Sequence, residues 1–73
     1  MARTIFWVKP SGNVWQLTRG AELLSTHVLK AVAVEEGQKV ARANQPSQLR
    51  VMKQDGTFDY EYTYGNDPFP PNG

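Results

Sequence analysis

His27 is the one histidine in a chain of 73 residues that has no cysteine. Any acid–base chemistry must therefore be built around it, with Asp59, Glu61 or Asp67 as the carboxylate partner. Catalysis also needs a second polarising group and a cleft, and no stretch supplies them at a recognisable spacing. Zinc and iron sites draw on groups of Cys and His that this composition cannot form. No run has the spacing that phosphate binding demands. The sequence points away from an enzyme, and it assigns no catalytic, cofactor-binding or metal-binding residue. His27 reads as a solvated residue in the first turn of a helix. The chemistry that remains is recognition, and its most conspicuous carriers are Trp7 and a proline-rich ending that contains Phe69.

The helix is expected over Ser25 to Ala43, the only run with helical spacing. Ser25 or Thr26 can cap its first turn, and Asn44-Gln45-Pro46 stops it. On a helical wheel Leu29, Ala33, Val34, Gly37, Val40 and Ala41 share one side, while Glu35, Gln38, Lys39 and Arg42 lie toward the other. Glycine inside a helix costs about 1 kcal/mol relative to alanine. Gly37, flanked by Ala33 and Ala41 on that side, therefore predicts a helix backbone lying close against a sheet. Val28 and Val32 fall off the stripe, either as scattered apolar residues or as a partner surface.

Two hairpins flank the helix. Thr4 to Lys9 and Val14 to Arg19 are rich in β-branched and aromatic residues, and Pro10-Ser11-Gly12-Asn13 between them is turn chemistry. A two-residue Gly12-Asn13 turn pairs Val8 with Leu17, Trp7 with Thr18 and Phe6 with Arg19. Gly20 to Leu24 is read as a connector, with Leu23 or Leu24 under the helix N-terminus. The second hairpin joins Gln48 to Gln54 and Thr57 to Tyr64 through Asp55-Gly56. Its two-residue turn opposes Val51 with Tyr60, Leu49 with Tyr62 and Lys53 with Phe58 on one face. On the other it opposes Arg50 with Glu61 and Met52 with Asp59.

The expected architecture is α+β: a ββαββ domain over residues 1–64, with one helix on one face of a four-stranded, mostly antiparallel sheet, and a tail over residues 65–73. Counting the four strands in chain order, 1-2-4-3 or 2-1-3-4 gives a fully antiparallel sheet, and 1-2-3-4 with a mixed centre stays open. The expected core is Phe6, Val8, Trp15, Leu17, Leu29, Val40, Leu49, Val51, Phe58, Tyr60 and Tyr62. A chain this short buries only about 60% of its unfolded surface, so that core is modest.

The same registers give the uncovered face its composition. Ile5, Trp7 and Met52 lie among Lys9, Gln16, Thr18, Arg50, Asp59 and Glu61, an aromatic centre with a charged rim. Such a face suits an interaction module, covered by its own tail, by a second subunit in a homodimer, or by a protein partner. Single-stranded nucleic acid is the alternative, with Trp7 stacking bases and Arg3, Lys9, Arg19 and Arg50 facing phosphates. A net charge of +1 gives that reading little electrostatic footing, and Asp59 and Glu61 would repel the backbone. The apolar runs are short and no signal-peptide pattern precedes them, so membrane insertion is not expected and the cytoplasm is.

The ending Tyr64-Gly65-Asn66-Asp67-Pro68-Phe69-Pro70-Pro71 departs in composition from the rest, and its three prolines exclude a helix. Pro68-Phe69-Pro70-Pro71 is of the kind that aromatic grooves bind, and it can equally pack on its own domain. Together with Val8 to Pro10, Gly12 to Trp15, Glu35 to Arg42 and Asp55-Gly56, this ending resembles a family of small uncharacterised bacterial proteins, a domain of unknown function. Glu36 and Val40 stand where that pattern has Ala and Leu. The resemblance spans nearly the whole chain and supports the fold. It implies no activity, substrate or cofactor.

Overall fold

Residues 3–65 are described by the computed structural model. Alternating apolar residues pair β1 (Thr4–Ser11) with β2 (Val14–Arg19) in the expected register, Phe6 with Arg19, Trp7 with Thr18 and Val8 with Leu17. The strand runs on through Pro10, which lies opposite Trp15 near the turn. Gly12 takes the left-handed conformation that this tight turn requires, with φ of 61°.

The expected connector is a third strand. β3 (Glu22–His27) pairs antiparallel with β2, and Ser25 and Thr26 belong to it rather than to a helix cap. The helix, α1 (Lys30–Ala43), starts five residues after Ser25, behind an extended Leu29 that makes no side-chain cap. Leu-Leu-Ser-Thr-His carries no clean alternation of its own; pairing with β2 gives its backbone N–H and C=O groups partners that a frayed first helical turn lacks.

This extra strand changes the sheet. Its order is β3-β2-β1-β4-β5, five strands in place of four, with β4 spanning Ser47–Met52 and β5 spanning Phe58–Tyr64. Each added antiparallel strand reverses the chain once more. β4 therefore enters beside β1 in parallel, and the other pairings are antiparallel. The four strands read from the sequence keep the order 2-1-3-4, but the centre is mixed.

Helix α1 lies over β1, β2 and β4. Ala33, Val34, Gly37 and Ala41 are its buried residues, and they belong to the expected stripe. A Cβ on Gly37 would stand 2.8 and 3.0 Å from the Leu49 methyls and 3.2 Å from Leu17 Cδ1, so the close approach to the sheet is real. Leu29 precedes the helix and is 62% exposed instead of buried. Val28 and Val32 are exposed beside it. Val40 is half-buried. The helix ends where the Asn44 side-chain amide donates to the Val40 carbonyl, 2.8 Å away, and the buried Ser47 hydroxyl donates to that of Ala41.

In the second hairpin two departures cancel. The loop has three residues rather than two: the Gly56 amide donates to the Lys53 carbonyl and the Lys53 amide to that of Thr57, with Gly56 at φ 88°. That is a type I turn closed by a left-handed glycine. It shifts the pairing by one, so Met52 faces Phe58, not Asp59, and Lys53 does not pair with Phe58. A bulge between Val51 and Met52 then makes Asp59 the extra residue and restores Val51 to Tyr60, Arg50 to Glu61 and Leu49 to Tyr62.

The core is Phe6, Val8, Trp15, Leu17, Ala33, Val34, Ala41, Leu49 and Val51. Tyr62 and Tyr64 pack on its margin, half-buried. Tyr60 and Phe58 are exposed, against expectation. A 14-residue helix covers the centre of a five-stranded sheet and leaves its β5 edge partly open.

Candidate interaction surface

Because Phe6 and Val8 point into the core, Ile5, Trp7 and Lys9 project from the opposite face of β1. The observed register carries that face across the sheet. Trp7 stands in a row with Thr18 of β2 and Arg50 of β4, and the row continues to Leu23 on β3 and Glu61 on β5. Gln16 lies opposite Lys9, and Gln48 beside Ile5. Ile5, Trp7, Gln16, Arg50 and Met52 are half-buried, while Lys9 and Glu61 are exposed. The fold brings Ile5, Trp7, Lys9, Gln16, Arg50, Met52 and Glu61 onto one face.

Arg50 binds this face together. Its guanidinium carbon sits 5.3 Å from the Trp7 ring centroid, a cation–π distance, and its Nη2 donates to Gln48 Oε1 at 3.2 Å. Glu61 Oε1 is 3.6 Å from Arg50 Nε, too far for a hydrogen bond. That Nε is buried and has no hydrogen-bond partner among the described residues. The Thr18 hydroxyl, on a residue only 6% exposed, is also without one. Toward the turns, Trp7, Lys9, Pro10, Gly20, Met52 and Gly56 line an open depression of about 370 Å³.

Two residues of this face are not apparent from the sequence. Phe58 pairs with Met52 and so shares its side, 51% exposed, and Leu23 joins through β3. Reading Gln54-Asp55-Gly56 as a three-residue loop would have found Phe58, since that loop places it opposite Met52. Asp59 leaves the face for the same reason. Its carboxylate accepts from Lys30 Nζ at 2.7 Å, on the helix side, where Lys30 also lies 5.1 Å from the Trp15 ring centroid.

The basic residues are dispersed. Arg3 donates to the carbonyls of Tyr64 at 2.9 Å and Ser47 at 3.4 Å. Arg19 pairs in register with Phe6, which puts it on the helix face, and it forms an ion pair with Glu22. Lys9 has no acidic partner among the described residues.

His27 is half-buried in β3, not in a helical turn, and its Nε2 lies 2.9 Å from the Ser25 hydroxyl. Asp59 and Glu61 are tied to Lys30 and Arg50. Among the described residues, no three His, Asp or Glu side chains group to hold a metal ion. No helix among them is long and apolar enough to cross a membrane.

At the tail, Tyr64 stacks on Tyr62 with ring centroids 6.4 Å apart, on the helix side, and the Arg42 guanidinium carbon lies 5.9 Å from its ring centroid. Gly65 adopts φ 110°, and a Cβ there would stand 2.7 Å from Pro46 Cα. Asn66, Asp67, Pro68, Phe69 and Pro70 of the proposed tail motif lie outside the described residues.

Over residues 5–64 the chain matches, and belongs to, the family described as uncharacterized protein conserved in bacteria (DUF2188). No curated protein and no solved structure matches it.

Proposed function

We propose that this chain is a small binding module without catalytic activity, and that its open sheet face around Trp7 takes a polypeptide segment. The observation that carries the reading is the three-residue loop of the second hairpin. By turning Phe58 outward against Met52 it adds an aromatic ring to the patch that Trp7 already centres. A chain of this size would ordinarily keep such a patch small. Around it stand Lys9, Gln16, Arg50 and Glu61, charges of both signs, as at the rim of a protein interface. We place the module in the cytoplasm, where a small domain without disulfides is common.

Nucleic acid fits less well. Arg19 stands on the other face and Arg3 is engaged with backbone carbonyls, which leaves Lys9 and Arg50 to meet phosphates. The Arg50 guanidinium also already lies over the Trp7 ring. Phosphate neutralisation supplies most of the affinity of such binders, and two cations supply little of it.

The test is selection from a random peptide display library against the immobilised full chain, followed by mapping of enriched peptides by amide chemical-shift changes. Peptides should perturb Trp7, Lys9, Gln16, Arg50 and Met52, and Trp7→Ala should abolish the effect. Failure to enrich any peptide, or shifts confined to the helix face, would reject the reading. A titration with mixed single-stranded oligonucleotides that gave micromolar affinity falling steeply with salt would replace it.

A further inference from the structure

We infer that the depression toward the turns of this face seats one aromatic side chain of the bound segment, and that Lys9 at its rim pairs with an acidic side chain next to that ring. The inference rests on the reading of the face as a polypeptide-binding surface and names what the segment must carry. Three observations support it.

The first is size. Trp7, Lys9, Pro10, Gly20, Met52 and Gly56 line about 370 Å³. Sites for small ligands begin near about 300 Å³, so the space suits one large side chain.

The second is the chemistry of that lining. Trp7 and Pro10 bring flat rings, and Met52 brings a thioether, a polarisable group that packs well against aromatic rings. Phe58, opposite Met52 and 51% exposed, extends the apolar area beside it. An aromatic ring meets such walls with large contact area at low rotamer cost.

The third is charge. Lys9 pairs in register with Gln16 of β2, and it follows Val8 as Met52 follows Val51, its partner on β4, so neither flanking position is acidic. Glu61 lies two strands over and two residues back, about 12 Å away on strand spacings near 4.8 Å and about 3.4 Å per residue, and it faces Arg50. Exposed charges that far apart are largely screened at physiological salt. Asp55 is held by Thr57, and Asp59 by Lys30 on the other face. Lys9 is exposed and has no acidic partner among the described residues. The site therefore joins a largely apolar lining to one positive charge. A free anion would gain little from the lining, and an apolar side chain alone would gain nothing from the ammonium; a ring beside a carboxylate uses both.

The experiment titrates the full chain with two blocked peptides that differ by one charge, acetyl-Trp-Glu-amide and acetyl-Trp-Gln-amide, while amide and indole resonances are followed. Both should shift Trp7, Lys9 and Met52, and the Glu peptide should bind about two- to fivefold more tightly at low salt, the range of an exposed ion pair. That preference should shrink as salt rises and vanish in Lys9→Gln, a change at an exposed position. Acetyl-Ala-Glu-amide should not bind. Equal binding of the two tryptophan peptides, a preference that survives in Lys9→Gln, or no shift at the depression with either peptide would overturn the inference. Resonances there that move on dilution of the chain alone, with a doubled mass in solution, would give the site to a second copy and overturn it too. Library-selected peptides that still perturb the face in those cases would leave the binding-module reading standing. If the tryptophan peptides behave as expected while the library yields no binder, that reading of a longer segment fails and the site itself stands.

Discussion

Leu49 and Leu29 show how far burial separates chemically identical side chains. Leu49 is fully buried, and its methyls lie under Gly37, whereas Leu29 stands largely in water ahead of the helix. Truncating a buried leucine removes its transfer free energy and leaves a cavity, costing about 2–5 kcal/mol. Leu49→Ala should therefore remove a large share of this domain's stability, while Leu29→Ala should move it by no more than about 0.5 kcal/mol. Urea midpoints of the two variants check this, and equal losses would mean that the residues ahead of the helix are packed. Asp55 makes a smaller, pH-dependent contribution. Its carboxylate accepts from the Thr57 hydroxyl at 2.6 Å and from the Thr57 amide at 3.0 Å, and these bonds hold its pKa below the ordinary aspartate value. A carboxyl with a lowered folded-state pKa stabilises above its unfolded value and loses that stabilisation as pH falls through the folded one. Asp55→Asn keeps an acceptor but not the charge. The wild-type chain should melt higher than Asp55→Asn at neutral pH, and the two should converge below about pH 4, near the unfolded aspartate value. A gap that persists at low pH would place the effect elsewhere.

At the scale of elements, the helix and the sheet are matched through one missing side chain. Gly37 forgoes helix propensity so that the helix can settle onto Leu17 and Leu49. Gly37→Ala regains about 1 kcal/mol of propensity. It also forces a methyl to 2.8 and 3.0 Å from the two Leu49 methyls and 3.2 Å from Leu17 Cδ1, on buried side chains that have little room to move, and such overpacking costs about 1–3 kcal/mol. The net change should be destabilising, seen as a lower urea midpoint. A raised midpoint would show that the helix lifts freely off the sheet. The second hairpin is governed by loop length in the same local way. A loop one residue longer than expected and a compensating bulge at Asp59 leave the inner half of the strand in register, and they exchange the faces of Phe58 and Asp59. This exchange builds the candidate surface and also gives Lys30 its partner.

For the whole molecule, the core residues of β1, β2, α1 and β4 form one cluster, with Leu24 of β3 and Tyr62 of β5 packed against it. No element buries its apolar side without the others. Unfolding should therefore be a single transition, with far-ultraviolet circular dichroism and tryptophan fluorescence coincident across urea. Separate transitions would mean that β3 or β5 melts on its own. Much of this architecture was legible from local chemistry. Turn residues and alternation gave the first hairpin its pairing, helical spacing gave the buried stripe through Ala33, Gly37 and Ala41, and the two together set Trp7 on the open face. These depend on neighbours in sequence, which is why a sequence reader can reach them. The strand character of Glu22–His27 was not legible, because its extended state is favoured by an edge of β2 that exists only once the sheet has formed. From that one strand follow the late start of the helix and the parallel approach of β4 to β1. The outward turn of Phe58 was likewise decided in three dimensions: Asp55-Gly56 is compatible with loops of either length, and only the pairing of β5 along the whole of β4 selects the longer loop with its bulge.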